Sequence, residues 1–292
     1  MQKPAQEKTR EEFEAGLYLV ATPIGNLQDM TLRAINVLNV CDYVLCEDMR
    51  VSRKLFSAYG IKVETKIYND HSDEQKRQRI IEELNTGKMI ALVTDAGSPL
   101  ISDPGYKLVR EVRKQGIYVT TIPGACAPVA AMQISGLPSD KFSFLGFLPS
   151  KTQARKKILE EWAAVPSTLV AFESASRLLA TLHDIGAVMG KRYVAVIREI
   201  TKIYEEVQSG EIEQLIEYYK DSGTPKGEIV LVIAPPEVRS FSDVILREML
   251  REQMVLNSTK DAVALVSQRT GMARKHIYDL ALGLAKEGDD VS

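Results

Sequence analysis

Four segments of the chain combine glycine, proline and other small residues with a few acids, and each follows a predicted strand. They are TPIGN at 22–26, CEDMR at 46–50, TDAGSPL at 94–100 and IPGACAP at 122–128. Any one of them could be a tight turn whose glycine or proline serves only the backbone. In an open parallel sheet, however, the loops after the strands share one edge, and ligands bind there. We therefore expect the four loops to form a ligand cleft together.

Common nucleotide, metal and hydrolase motifs are absent from the sequence. No G-x-G-x-x-G follows the first predicted strand and no G-x-x-x-x-G-K-[ST] occurs, which argues against a dinucleotide or a P-loop nucleotide site. The three histidines are far apart and the three cysteines lack C-x-x-C spacing, so we expect no metal site and buried, reduced thiols. No G-x-S-x-G nucleophile motif is present. The loops suit a ligand with little negative charge that is held by backbone groups and shape.

The composition is that of a soluble globular protein. Of 292 residues, 45% are hydrophobic and 26% are charged, and the formal net charge is −2. This charge gives no overall attraction to nucleic acid, so a polyanionic partner would have to meet a local basic patch. No run of about 18 apolar residues predicts a membrane span, and the first residues lack the apolar core of a signal peptide. We therefore expect a cytoplasmic protein.

Short apolar strands alternate with amphipathic helices in residues 16–138, and we expect the charged segment at 1–15 to be a flexible tail. The strands read GLYLVA, DYVLC, a segment near 63–68, MIALV and IYVTTI. This alternation predicts right-handed crossovers and a mainly parallel sheet, and so an N-terminal α/β domain. Asp103 and Pro104 are typical of the N-cap and the first position of a helix that would end before Gly116.

The pattern changes after about residue 137. Residues 139–157 contain an aromatic strand and then a basic helix start, which we interpret as a linker into a second α/β domain at 139–236. Its strands read STLVAF, YVAVIRE, KIYEEVQSG and EIVLVI. Three helices are predicted in 240–292, and a tight turn at Gly271 gives the last two the form of a helix-turn-helix. The predicted fold is two α/β domains and a small C-terminal helical appendage.

Eight segments together resemble the tetrapyrrole methylase superfamily, namely YLVATPIGNLQDMTLRA, CEDMR, TDAGSPLISDPGY, PGACA, GLPSDKFSFLGFLPSK, FESASRL, IREITKIYEE and KGEIVLVI. Within it, they are most similar to the branch that methylates the ribose 2'-hydroxyl of a cytidine in the decoding region of 16S rRNA. The resemblance implies that S-adenosyl-L-methionine binds in a cleft between the two α/β domains, commonly in a homodimer. A sulfonium cofactor is cationic and has no phosphate, which agrees with the character of the loops.

The resemblance also implies which residues bind the cofactor. Three loops of the first domain would contact it, and the second domain would close the site. The residues at the matching positions are Ile24, Asp95, Gly97, Ser98, Ile101, Pro123, Gly124, Ala125, Phe172 and Ile229.

Methyl transfer to a hydroxyl depends mainly on holding the two reactants together, and a base that accepts the hydroxyl proton would add about 10²- to 10⁴-fold. The candidates for this base are Glu47, Asp48, His71 and Lys226. Each has an ordinary structural alternative. The two acids could cap a loop or pair with Arg50, the histidine could pack ahead of a helix, and the lysine could belong to a turn. Arg50 and Arg198 are candidates for orienting the substrate or binding its phosphates.

Two places could supply the basic surface that RNA binding requires. The run KTQARKK contains Lys151, Arg155, Lys156 and Lys157, although it could equally be a solvated helix face. The segment after residue 240 contains seven Lys or Arg and eight Asp or Glu from 241 to 292, a formal charge of −1. It could dock rRNA or a dimer partner, or only pack.

Two other functions stay open from the sequence. A relative that methylates a tetrapyrrole such as a corrin precursor would use the same cofactor, but it would not need a basic run or appended helices. A helix-turn-helix regulator could use the α/β part only to sense a small ligand. The acidic balance of the appendage and the elaborate cleft argue against the regulator.

Overall fold

The computed structural model describes residues 9–69, 74–236 and 242–289. They form two compact units that divide between residues 236 and 237, and each unit is described by itself. His71, a candidate base, lies outside the described residues. Among the residues that the structure describes, no helix is long and apolar enough to cross a membrane.

The first sheet has five strands in the order β3-β2-β4-β1-β5, and its neighbouring strands all pair in parallel. This confirms the predicted parallel sheet. Its strands are β1 (Gly16–Val20), β2 (Tyr43–Cys46), β3 (Thr65–Ile67), β4 (Met89–Leu92) and β5 (Val119–Ile122), and the helices between them are α1 (Leu32–Val40), α2 (Met49–Ala58), α3 (Glu74–Asn85) and α4 (Tyr106–Lys114).

Successive strand residues of this sheet point to opposite faces, and each face is covered by two helices. On one face, Leu38 of α1 and Phe56 of α2 are buried against Val20 and Val44. On the other face, α3 and α4 bury apolar side chains against Leu17, Leu45 and Ile90, and these helix residues are Ile80, Ile81, Leu84, Leu108 and Val112. Because both faces are covered, the ends of the strands are the natural place for a ligand.

Helix α4 begins later than the sequence predicts. Its N-cap is Gly105, with φ of 132°, so Asp103 and Pro104 are not the N-cap and the first helical residue. The preceding turn has positive φ at Leu100 (73°) and Ser102 (66°), which is uncommon for residues with a side chain. These angles keep residues 100–104 in a compact loop before the helix starts.

The second sheet also has five strands, in the order β6-β7-β10-β8-β9. Strand β6 pairs in parallel with β7, and the other pairs are antiparallel. Its strands are β6 (Phe142–Phe147), β7 (Thr168–Ser174), β8 (Tyr193–Arg198), β9 (Glu206–Glu211) and β10 (Glu228–Ile233), and the accompanying helices are α5 (Ala127–Ile134), α6 (Thr152–Trp162), α7 (Leu178–Met189) and α8 (Ile212–Ser222).

Two sequence predictions need correction in this half. Residues 139–157 are not a linker, because β6 is an edge strand of the second sheet and α6 follows it directly. The strand predicted from Lys202 begins only at Glu206. The residues before it form a turn in which Glu199 and Thr201 have φ of 53° and 63°, conformations that do not continue a strand.

Helix α5 follows the last strand of the first sheet but packs against the second sheet. Its Ala131 and Met132 are buried together with Val170 of β7, Ala195 of β8 and Val232 of β10. The opposite face of that sheet is covered by helices α6, α7 and α8. The division of the chain at residue 138 remains a prediction, since α5 precedes that residue and contacts strands that follow it.

The C-terminal unit consists of α9 (Asp243–Leu256), α10 (Thr259–Thr270) and α11 (Arg274–Asp289). Its core contains Leu250 of α9, Val266 of α10 and Ile277 of α11. Helix α10 ends at Gly271, which adopts the left-handed conformation with φ of 70°. The predicted helices and the tight turn between the last two are therefore present.

Candidate functional site

A cleft of about 430 Å³ lies at the carboxyl edge of the first sheet and is closed by the second sheet. The lining residues from the first half of the chain are Ile24, Asp95, Ala96, Gly97, Ser98, Ile101, Ser102, Asp103, Cys126, Ala127 and Pro128. Those from the second half are Phe147, Phe172, Glu173, Ser174, Ala175, Ile200, Gly227, Glu228, Ile229 and Val230.

The backbones of the first and third loops are joined directly. The amide of Thr22 donates to the carbonyl of Gly97 at 2.9 Å, and the amide of Gly97 donates to the carbonyl of Thr22 at 3.1 Å. The buried hydroxyl of Thr22 also donates to the carbonyl of Thr94 at 3.3 Å. These bonds fix the wall of the cleft where strands β1 and β4 end.

Gly97 keeps this wall thin. Its φ is 85°, and a Cβ there would lie 3.2 Å from Cγ2 of Ile24. The next residue, Ser98, donates its hydroxyl proton to the carbonyl of Ala125 at 3.0 Å and so connects the third loop to the fourth. A larger residue at position 97 would both strain the backbone and narrow the cleft.

The second loop joins the others through Asp95 and Asp48. The amide of Asp48 donates to Oδ1 of Asp95 at 3.2 Å. The carboxylate of Asp48 caps α2 by accepting from the amide of Arg50 at 2.7 Å, and it forms an ion pair with the Arg50 guanidinium, also at 2.7 Å. Hydrogen bonds from Arg50 lower the pKa of Asp48 to about 2. Asp48 is therefore a weak proton acceptor.

An aromatic group forms part of the wall from the second sheet. The ring of Phe172 lies 5.0 Å from that of Phe144 and 5.1 Å from that of Phe147, measured between centroids. Phe147 is 64% exposed and lies at the rim of the cleft. Val230 of β10 pairs with Phe172 of β7, which places Ile229 and Val230 beside the rings. This wall is apolar and suits a flat or aliphatic group.

Glu173 is a buried carboxylate that lines the same wall. It accepts from the hydroxyl of Thr181 at 2.6 Å and from the amide of Ser174 at 2.7 Å. It also forms an ion pair with Arg177, whose Nη2 lies 2.6 Å away. These bonds satisfy the carboxylate, and they also hold residues 174–177 at the edge of the cleft.

Lys202 connects the turn before β9 with the first loop. Its ammonium contacts the carboxylates of Glu199 at 2.8 Å and Glu228 at 2.9 Å. The aliphatic part of the side chain covers Gly25, where a Cβ would lie 2.5 Å from Cγ of Lys202. Hydrogen bonding to Lys202 lowers the pKa of Glu199. The lysine thus joins loops that belong to the two sheets.

Seven of the ten residues expected to bind a cofactor line the cleft, namely Ile24, Asp95, Gly97, Ser98, Ile101, Phe172 and Ile229. The other three, Pro123, Gly124 and Ala125, come just before the lining residue Cys126. Gly124 packs against Ala21, since a Cβ there would lie 3.0 Å from the Cβ of Ala21. Gly124, through this contact, and Ala125, whose carbonyl accepts from Ser98, therefore support the wall of the cleft.

The residues considered as bases are placed differently. Glu47, Asp48 and Lys226 are described, and none of the three lines the cleft. Lys226 instead borders a separate pocket of about 320 Å³ together with Arg198 and Tyr219. Arg198 forms an ion pair with Glu206 at 2.8 Å. The three described candidates therefore lie outside the lining of the cleft, with Lys226 at a different pocket.

The assignment of Arg155 to an exposed basic surface is wrong. Arg155 is only 2% exposed, and its Nε donates to the carboxylate of Asp184 at 2.8 Å. Its Nη1 donates to the carbonyls of Pro149 and Ser150, which holds the turn between β6 and α6. The neighbouring cations differ in how available they are to bind RNA. Lys151 and Lys157 are exposed, whereas Nζ of Lys156 lies 3.6 Å from the carboxylate of Asp184.

Several residues that line the cleft were not among the site residues predicted from the sequence, although they lie in or next to segments that carry the family resemblance. Glu173, Ser174 and Ala175 lie in FESASRL, Ile200 lies in IREITKIYEE, and Gly227, Glu228 and Val230 lie in KGEIVLVI. Ser102, Asp103, Cys126, Ala127, Pro128 and Phe147 also lie in or next to segments that carry the family resemblance. In the sequence, their side chains do not distinguish them as site residues. They line the cleft because the two sheets meet there.

The charged side chains that line the cleft have one sign. Its described lining residues include Asp95, Asp103, Glu173 and Glu228, and they include no lysine, arginine or histidine. Glu173 and Glu228 are paired with cations that stand outside the lining. Such a site favours a ligand that is neutral or positively charged over a phosphate.

Comparison with protein families gives two matches. Residues 16–216 match the family described as Tetrapyrrole (Corrin/Porphyrin) Methylases. Residues 242–285 match the RsmI C-terminal HTH domain. The first match covers the first sheet and the second sheet as far as the start of α8, without β10, and the second match covers most of the C-terminal helical unit.

Solved structures of low sequence identity share the fold. Diphthine synthase superposes with a TM-score of 0.58 at 16% identity, over 75% of this chain and 89% of that one. A cobalamin biosynthetic enzyme, cobalt precorrin-4 methyltransferase, superposes with a TM-score of 0.54 at 18% identity, over 74% of this chain and 93% of that one.

Curated relatives are much more similar in sequence. Ribosomal RNA small subunit methyltransferase I of Mesorhizobium japonicum is 43% identical, over 95% of this chain and 96% of the relative. Proteins of the same name from Escherichia coli O157:H7 and Rickettsia prowazekii are 39% and 48% identical, over 95% and 76% of this chain and 98% and 79% of the relatives. The chain therefore belongs to the tetrapyrrole methylase family and, within it, groups with the proteins named ribosomal RNA small subunit methyltransferase I.

Proposed function

We propose that the chain transfers the methyl group of S-adenosyl-L-methionine to the ribose 2'-hydroxyl of a cytidine in the decoding region of 16S rRNA. The names of the curated relatives support an rRNA substrate. The observation that carries the choice of cofactor is the charge of the cleft, whose described lining has four carboxylates and no cationic side chain. A sulfonium cofactor is positively charged and has no phosphate, so these residues fit it.

Backbone groups and side chains of the cleft would both contribute to binding the cofactor. The thin wall at Gly97 and Ser98 would let the cofactor lie against backbone groups, and the apolar side chains of Ile24, Phe172 and Ile229 would enclose it. When bound, the cofactor supplies an electrophilic methyl group. Holding it beside the RNA ribose in a fixed orientation would provide most of the catalysis.

The hydroxyl oxygen must lose its proton as it forms a bond to the methyl carbon and the carbon–sulfur bond breaks. Among the candidate bases, Asp48 is disfavoured because Arg50 lowers the pKa of its carboxyl to about 2. Glu47, His71 and Lys226 remain candidates, and Glu47 and Lys226 would have to approach the cleft when the RNA is bound, since neither lines it. A homodimer and a cytoplasmic location are further parts of this proposal.

A methyl-transfer assay tests the proposal. The purified protein is incubated with methyl-tritiated S-adenosyl-L-methionine and, in separate reactions, with small ribosomal subunits from cells lacking the modification, with naked 16S rRNA, or with tetrapyrrole precursors. We expect label in the subunits, on the ribose of one cytidine after digestion to nucleosides. Label in a tetrapyrrole and none in RNA would contradict the proposal and support the corrin alternative.

A further inference from the structure

Helix α4 carries an exposed basic stripe that the cleft does not use. The stripe consists of Tyr106, Lys107, Arg110, Arg113 and Lys114, and all five residues are exposed. The buried residues of the helix are Leu108 and Val112, which pack under the first sheet. The cations therefore face away from the core and toward solvent.

The stripe begins next to the cleft. Asp103 lines the cleft, and α4 starts three residues later at Tyr106. The connection is tight, because a Cβ on Gly105 would lie 2.8 Å from Cδ2 of Leu92. With a rise of about 1.5 Å per residue, the stripe extends from Lys107 to Lys114 over roughly 10 Å. A polyanion bound along it would have one end close to the reacting groups.

No carboxylate of the described residues neutralises the charges of the stripe. The acid on the same helix, Glu111, forms an ion pair with Arg77 of α3 at 3.3 Å. Within the described parts of the chain, no carboxylate lies within 4.0 Å of the four cations of the stripe. Four cations on one face of a short helix repel each other, and a row of phosphates would relieve that repulsion.

Tyr106 adds a feature that favours RNA over other polyanions. Its ring is 64% exposed, and the guanidinium carbon of Arg110 lies 5.6 Å from the ring centroid. An exposed aromatic ring beside cations is the combination on which unpaired bases stack while the backbone is bound.

The basic run on α6 is a weaker candidate for RNA binding, judged by the exposure of its cations and by the acids near them. Arg155 is buried, Lys156 lies near Asp184, and the exposed acids Glu160 and Glu161 follow in the same helix. Only Lys151 and Lys157 remain as exposed cations there. The α4 stripe therefore offers the denser row of positive charge next to the cleft.

We propose that the α4 stripe binds the phosphates of the substrate RNA beside the methylated nucleotide, with Tyr106 stacking on an unpaired base. This rests on the proposed function and specifies how the same site holds its substrate. The stripe is a binding surface, and it takes no part in the transfer of the methyl group.

Charge variants test the stripe. Lys107→Gln/Arg110→Gln is compared with Lys62→Gln/Lys191→Gln, which removes two exposed cations located before β3 and β8, away from the cleft. We expect the stripe variant to raise KM for small subunits about tenfold and to reduce the slope of log affinity against log salt by roughly 0.7–0.9 for each lost phosphate contact. Affinity for S-adenosyl-L-methionine, measured by calorimetry, should not change in either variant.

The tyrosine is tested separately. Tyr106→Ala should weaken RNA binding by about tenfold, because base stacking is lost. Tyr106→Phe keeps the aromatic ring and should bind RNA as well as the wild-type protein does. If the stripe variant binds and methylates subunits as well as the control, with the same salt slope, the inference is overturned and the proposed function stands. If the wild-type protein neither binds nor methylates rRNA, both are overturned.

Discussion

The side chain of Lys202 lies directly over Gly25 in the first loop. Lys202 belongs to the turn that leads into β9, an edge strand of the second sheet. A Cβ on Gly25 would approach Cγ of Lys202 to 2.5 Å, and the ammonium of Lys202 extends past this point to Glu199 and Glu228. The glycine therefore makes room for an ion-pair network that closes one side of the cleft.

Gly25→Ala should destabilise the protein by about 1–3 kcal/mol, since it forces Lys202 out of place and also strains a backbone with φ of 153°. Lys202→Ala removes the clash, so the double variant should lose less stability than the sum of the two single variants. Urea unfolding of the four proteins measures this cycle. Strictly additive losses would mean that the two residues do not interact.

Gly97→Ala should reduce cofactor affinity by roughly tenfold or more, because the new methyl group lies 3.2 Å from Ile24 inside the cleft. Gly60→Ala is the matched control. Its φ is 68° but no atom lies within 4 Å of the added Cβ, so it carries a similar backbone cost without narrowing the cleft. Calorimetry with S-adenosyl-L-methionine and urea unfolding separate the two effects. Equal affinity in both variants would exclude Gly97 from the binding wall.

The Asp48–Arg50 pair should give a defined pH dependence. The pKa of Asp48 is lowered from 3.8 to about 2 by hydrogen bonds from Arg50, so its contribution to stability is present above the ordinary pKa and is lost as the pH falls through about 2. Arg50→Gln should raise this pKa toward 3.8, so its stability should fall increasingly below that of wild type as the pH rises from about 2 to about 4, with the full difference at higher pH. Carboxyl chemical shifts followed by NMR give both midpoints, and an unchanged midpoint in Arg50→Gln would contradict the assignment.

Thiol labelling can locate the cofactor without an activity assay. Burial raises the pKa of Cys41 to about 12 and also raises that of Cys46, whereas Cys126 is partly exposed and lines the cleft. Since the thiolate is the reactive form, iodoacetamide should modify Cys126 in the native protein and spare the other two. S-adenosyl-L-methionine should slow this modification, as measured by mass spectrometry. Labelling of Cys126 at the same rate with saturating cofactor would count against the cleft as its site.

The parallel sheet and the clustering of the four loops could be predicted because both depend on local patterns. Strands such as MIALV end where small residues begin, and the ends of parallel strands must share an edge. The helical appendage could also be predicted, since its caps and the turn at Gly271 lie within short segments.

The partners of individual side chains could not be predicted in the same way. Arg155 belongs to a basic run in the sequence, but Leu159, four residues later, is buried on the same face of α6, and this spacing was the available signal that Arg155 points inward. Which sheet α5 covers depends on contacts with strands 40 to 100 residues away, for which no local pattern exists. The placement of Glu173 in the wall of the cleft depends on the same kind of distant contact.

Helix α5 limits how the site can open. Cys126, Ala127 and Pro128 form part of the wall of the cleft, while Ala131 and Met132 of the same helix are buried against the second sheet. A motion that separated α5 from the second sheet would expose these apolar side chains, at about 25 cal/mol for each Å². We therefore expect α5 to move together with the second sheet in any opening of the cleft, so that the bend falls in the segment between β5 and α5.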